Sequence, residues 1–281
     1  MADISAKDVA ALRKLTGAGM MDCKKALQET GGDVEAAKDW LRERNLAGAA
    51  KRAGRSAQQG AVDVFAEGDV AVVVELTCET DFVAKGADFK DLVARLARQV
   101  ADQGDADLAG QSFDGSTVGE AIAQLSGKIG EKIGLGRVAR FESADGLLDA
   151  YRHVQNGRGV IGVLVELGGV DDNDPKAREV AHDVALHVAN SAPRWLAPDD
   201  VPDDAVAKER AVLEAQTRQE GKPEQAIEKI VTGKLNGFFK SSCLLNQPFV
   251  KDPKVTVGAL VANLGAGACI RRFTRVKIAE D

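Results

Sequence analysis

The sequence has 281 residues, 44% of them hydrophobic and 28% charged, with a formal charge of -6 and a pI near 5.3. That length suits about two to three domains, and the balance is that of a folding globular chain, which argues against wholesale disorder. The net acidity argues against a protein whose main partner is a phosphate backbone, because such binding runs on Lys and Arg. Residues 1–60 lean the other way, with eleven Lys or Arg against eight Asp or Glu. That surplus fits either a solvated basic face or a docking surface for an acidic partner. The N-terminal residues lack a basic stretch followed by an apolar run and a cleavage site, and no segment has the roughly 20 apolar residues that span a bilayer. A cytoplasmic location is expected. Cys23, Cys78, Cys243 and Cys269 are scattered singly and read as reduced thiols, mostly buried.

In chain order, Ser5 with Asp8 resembles a capping box, and Val9, Leu12 and Leu15 recur at helical spacing up to the Gly17-Ala18-Gly19 break. A second helix is predicted over residues 20–30, stopped by Gly31 and Gly32. Asp33 is placed to cap a third, on which Val34, Ala37 and Leu41 line one face. Residues 1–46 thus read as a three-helix domain, and residues 47–60, rich in Ala, Gly, Arg and Gln, as a partly helical linker. Val62, Val64 and Ala66 then alternate, Glu67-Gly68-Asp69 turns, and residues 70–76 run almost wholly apolar, which predicts a hairpin with a central second strand. Residues 77–87 read as a loop. Phe89, Leu92, Val93, Leu96 and Val100 form the stripe of a helix that covers one sheet face. An amphipathic helix bearing Val118, Ile122, Leu125 and Ile129 and a strand over residues 137–141 follow.

The strand at residues 147–153, the turn at 155–159, the run 160–167 and the helix 175–190 repeat that order. Val74-Glu75-Leu76 matches Val165-Glu166-Leu167, and Val100-Ala101 matches Val188-Ala189. The fold class expected is α+β, with a duplicated two-part core: residues 61–142, then 143–197 with 241–281. Within residues 198–240, two charged helices at 205–220 and 224–240 flank Gly221-Lys222-Pro223. They predict an inserted antiparallel helical hairpin that buries a narrow stripe and projects as a short coiled coil. Residues 270–278 alternate and return as a strand.

Taken alone, Met20 and Met21 read as core filler, Phe82 as core and Asp81 as a turn cap. His182 and His187, five apart, miss the i,i+4 spacing of a helical metal pair and read as structural. A cysteine enzyme finds no local Cys–His pair, and neither a phosphate-binding P-loop nor a dinucleotide fingerprint is present.

The run Leu12-Arg13-Lys14-Leu15-Thr16-Gly17-Ala18-Gly19-Met20-Met21-Asp22-Cys23-Lys24-Lys25-Ala26-Leu27 closely resembles the N-terminal signature of the elongation factor Ts family. Cys78-Glu79-Thr80-Asp81-Phe82-Val83-Ala84-Lys85 resembles its second signature and Leu245-Asn246-Gln247-Pro248-Phe249-Val250 its third, so the likeness spans essentially the whole chain. The resemblance implies a ubiquitin-associated-like fold for the three helices. It also implies a nucleotide exchange factor without covalent chemistry, cofactor or metal of its own. Such a factor binds elongation factor Tu, GDP-bound or nucleotide-free, and promotes GDP release by disturbing the magnesium and phosphate site, so that GTP rebinds. Asp81 and Phe82 would then act as a wedge near that magnesium, with Thr80 and Val83 beside them. Arg13, Met20 and Met21 would contact the partner from the N-terminal domain, with one methionine left in the core. His153, from Tyr151-Arg152-His153, would contact it from the core.

Homodimerisation through the hairpin belongs to some members and stays open. Thr77 stands where the family often has a polar amide, and the turn at 155–159 is longer than the family's. The rival is an RNA- or ribosome-binding module that uses the basic N-terminal domain; acidity and only 4% aromatic residues weigh against it.

Overall fold

The computed structural model describes residues 4–280, a mixture of helices and two main antiparallel sheets. Ser5 and Asp8 close the capping box of α1 (Ala6–Thr16), each amide donating to the other's side chain at 3.2 Å. Gly17, at φ 66°, ends that helix by donating to the Arg13 carbonyl. α2 (Met20–Glu29) and α3 (Val34–Arg52) follow, and Val9, Leu12, Cys23, Ala26, Leu27, Ala37 and Leu41 form their shared core. Leu15 departs from the expected stripe: it is 65% exposed, because Val9 and Leu12 already fill the face turned to the neighbouring helices. α3 also runs six residues into the predicted linker, carried by the alanines around Gly48.

β1 (Gln59–Glu67) and β2 (Val70–Cys78) pair as predicted. The expected loop at 77–87 instead holds the end of β2 and a short helix, α4 (Asp81–Lys85), before α5 (Ala87–Gln103). A small hairpin of β3 (Ser112–Phe113) and β4 (Ser116–Thr117) leads into α6 (Val118–Ile129) and β5 (Ile133–Glu142). The first sheet has the order β1-β2-β5 with β2 central, and Val72, Val74 and Leu76 pack on Phe89, Leu96, Val100, Val118 and Ile122.

The second sheet repeats the arrangement with β6 (Leu147–Gln155), β7 (Arg158–Gly168) and β8 (Cys269–Lys277) in the order β6-β7-β8. Its hairpin is tighter than the expected turn. Asn156 and Gly157, at φ 53° and 78°, make a two-residue connection whose twist matches the strands. α7 (Pro175–Ser191) covers this sheet. α8 (Asp203–Gln219) and α9 (Glu224–Ser242) form an inserted pair whose apolar core is Leu213, Ile227, Val231 and Leu235 with part of Phe239, and Thr217 is buried beside them. α10 (Val257–Ala262) precedes β8. Glu75 and Glu166, matched in the sequence, hold matching places: each is buried at an irregularity where the central strand meets the third strand, and each accepts from an arginine of that third strand, Arg137 or Arg272.

The sheets face each other through Val62, Ala71, Val73, Phe141, Leu164 and Val276. Gly162 permits that approach, since a Cβ there would lie 2.5 Å from Val73 Cγ2. The three-helix unit is docked on this body. α3 lies along α6, Arg42 pairs with Glu120, Arg52 Nε donates to Ser126 Oγ at 3.2 Å, and Asn45 fills the space that a Cβ on Gly127 would take. Among the described residues, no helix is long and apolar enough to cross a membrane.

Candidate functional site

The chain leaves β2 at the buried Cys78 and turns at Thr80, whose extended backbone and side chain cap α4: the Val83 amide donates to Thr80 Oγ1. Thr80 is held from outside its own segment. Its hydroxyl donates to Glu131 Oε1 at 2.7 Å and its amide to Glu131 Oε2 at 3.0 Å. The Cys78 thiol donates to the Thr80 carbonyl at 3.1 Å, and the neighbouring Glu79 carboxylate accepts from the Lys132 amide at 2.6 Å and from Arg55. Two adjacent residues are therefore tied to the start of β5 and the end of α3, which makes the turn a fixed platform.

On that platform Ala84 is fully buried and Val83 packs partly on the first core. The helical turn then points Phe82 outward, at 82% exposure the most open of the large apolar side chains among the described residues. Water is a poor solvent for a ring of that size, and single exposed apolar residues are common on surfaces. What distinguishes this one is its rigid backing. An aromatic ring has few rotatable bonds, so a partner that buries it recovers apolar area at small entropic cost. Asp81 pairs with Lys85 one turn on, and that bond, with the fields of Lys85 and Arg158, holds its carboxyl below the usual range, so it is an anion at neutral pH. The Lys85 ammonium lies 5.9 Å from the Phe82 ring centroid.

Arg158 comes from the tip of the second hairpin, which lies against this end of the first half. Arg158 donates to the Gly60 carbonyl at 2.6 Å, Lys90 to the Gly157 carbonyl at 3.2 Å, and Arg152 pairs with Asp63 at 2.7 Å. His153 and Val154 sit exposed on the same hairpin, with His153 Nδ1 3.1 Å from the Tyr151 hydroxyl. The N-terminal candidates form a separate surface: Arg13, Met20 and Met21 flank the Gly17–Gly19 turn. Both methionines are exposed, at 48% and 73%, so neither serves as core; Ala18 and Cys23 fill the space beneath. Leu15 widens that apolar surface.

The cysteine-enzyme alternative gains nothing here. Burial, then the nearby Glu131 carboxylate, pushes the Cys78 thiol up to about 12, far from a reactive thiolate. Glu131 is the residue that sequence reasoning misses, since an acid between Gly130 and Lys132 carries no local signal of a clamp. The third sequence signature proves to be internal bracing. The buried His187 imidazole donates from Nε2 to Gln247 Oε1 at 2.8 Å and accepts at Nδ1 from the Val250 amide at 3.2 Å.

Comparison with known proteins gives the family. A family model described as Elongation factor TS matches residues 79–280. The chain is 47% identical to the elongation factor Ts of Thermobifida fusca over 287 positions covering all of both chains. It is 45% identical to that of Symbiobacterium thermophilum, covering all of this chain and 93% of the other, and 43% identical to that of Micrococcus luteus, covering 99% of each.

Proposed function

The chain belongs to the elongation factor Ts family, and on that premise we propose that it binds elongation factor Tu carrying GDP in the cytoplasm and accelerates loss of the nucleotide without covalent chemistry. The observation that carries this reading is Phe82, an exposed aromatic ring on a turn pinned at Thr80, with the Asp81 carboxylate beside it. Magnesium demands near-ideal octahedral geometry and bridges nucleotide phosphates, so a ring and a carboxylate pushed against the groups around it weaken nucleotide binding. Arg13, Met20 and Met21 serve as a second contact surface and His153 as a third, which lets the factor hold its partner while the nucleotide leaves. In this reading the three helices form a ubiquitin-associated-like docking domain, the two sheets are duplicated halves of the core, and the helical pair is a projecting coiled coil.

The coupling is reciprocal: if the factor weakens GDP binding by some ratio, GDP weakens the factor by the same ratio. A transient ternary complex follows, and GTP then refills the emptied site. The test is release of a fluorescent GDP from elongation factor Tu chased with unlabelled nucleotide. Faster release on adding this protein is expected, and an unchanged rate at saturating protein would contradict the proposal.

A further inference from the structure

Where the three-helix unit meets α6, the surfaces enclose a cleft of about 510 Å³, with Gly19, Asp22, Arg44, Lys51, Arg52 and Lys128 in its walls. Its charge is one-sided: four cations against one carboxylate. Arg44 is shared with Asp22 at 3.5 Å and Lys128 with Asp88 at 2.6 Å, while Lys51 and Arg52 have no carboxylate partner among the described residues. Arg52 is the informative member. Its Nε is fixed on Ser126 Oγ at 3.2 Å, and its Nη2 is buried with no hydrogen-bond partner. A buried guanidinium N–H without an acceptor costs free energy, and the group is a planar fork suited to phosphate oxygens. Gly19, the cap of α2, has no side chain, and the Asp22 carboxylate of that helix's first turn lies beside it, 3.1 Å from where a Cβ would stand, so the cleft's positive charge comes from α3 and α6.

We propose that this cleft binds a small phosphate-type polyanion, with Lys51 and Arg52 as its principal ligands and Arg44 and Lys128 as neutralising charges. The Asp22 carboxylate opposes the anion and is offset by Arg44. Arg44, Lys51 and Arg52 come from α3, and Lys128 comes from α6, so the bound anion clamps the three-helix unit to the core. This site is separate from the Phe82 turn and stands or falls independently of nucleotide exchange.

The test is an amide chemical-shift titration of the full chain with pyrophosphate at constant ionic strength, with ADP as a second arm to separate the free anion from the phosphate end of a nucleotide. Saturable shifts at Gly19, Gly48 and Gly127 and at the Arg52 Nε–H are expected. Lys51→Gln with Arg52→Gln should weaken binding by about tenfold or more, as loss of charge-assisted bonds requires, while Lys229→Gln leaves it unchanged. Binding by either probe that depends on the Lys51 and Arg52 pair supports the site. Absence of saturable shifts in the wild-type chain with both probes, or unchanged affinity in the double variant, overturns it.

Discussion

Thr80 and Glu131 are bonded twice, hydroxyl to Oε1 at 2.7 Å and amide to Oε2 at 3.0 Å, so a residue beyond the end of α6 fixes the start of α4. Glu131→Ala should leave the core folded yet loosen the platform beneath Phe82. Amide exchange at Val83 and Ala84 should quicken, and stimulated GDP release should fall by about tenfold, as losing bonds to a charged group predicts. Glu131→Gln, which keeps one acceptor, should lose less. Unchanged amide exchange in Glu131→Ala would contradict the clamp.

Glu166 accepts from Ser143 at 2.7 Å, Arg272 at 2.6 Å and Arg271 at 3.2 Å while almost wholly buried. Glu166→Ala should cost roughly 2–3 kcal/mol in denaturant unfolding, below the usual loss for a broken buried pair because both arginines are partly exposed. Burial pushes this carboxyl up, but Ser143, Arg272 and Arg271 outweigh it and leave it below the ordinary range. Its stabilisation is therefore present above the unfolded value and lost as pH falls through the lower folded one. The acid limb of the stability curve should be shallower in Glu166→Ala.

His187 has the opposite chemistry. Burial lowers its pKa, and Gln247 only partly offsets this. Above the unfolded value of 6.5 both states are neutral and the group contributes nothing to the pH dependence. Below it the unfolded chain takes up the proton first, so stability falls with pH until the folded imidazole also charges. Thermal midpoints should therefore drop between pH 7 and the folded value, and that portion should vanish in His187→Gln. A ring signal titrating at or above the ordinary value would contradict this.

Gly162 lies where the sheets approach closely, with Val73 Cγ2 and Val62 Cγ1 at 2.5 and 2.6 Å from the position of an added Cβ. Gly162→Ala should destabilise the chain by roughly 1–3 kcal/mol through overpacking. Denaturant unfolding measures it, and a neutral result would mean that the two halves separate at little cost.

The hairpins, the stripe of α5 and the pairing of Glu75 with Glu166 are legible in the sequence because period and repetition report burial directly. α4 is not, since five residues with a threonine cap fall below any detectable period. Leu15 keeps the helical period and yet faces solvent, because period says which residues share a face and not whether anything covers it. The same limit hides the exposure of both Met20 and Met21. The clamp by Glu131 depends on a contact made only after folding, and the docking of α3 on α6 depends on a close approach at Gly127 that leaves no local pattern.

The most direct test of the exchange account compares fluorescent-GDP release from elongation factor Tu with the wild-type chain and with Phe82→Ala. Phe82 is 82% exposed, so the variant should keep the wild-type unfolding midpoint. Stimulated release should fall by at least about tenfold, the loss typical of an aromatic interface anchor. A folded Phe82→Ala that drives release as fast as the wild type would contradict the central claim.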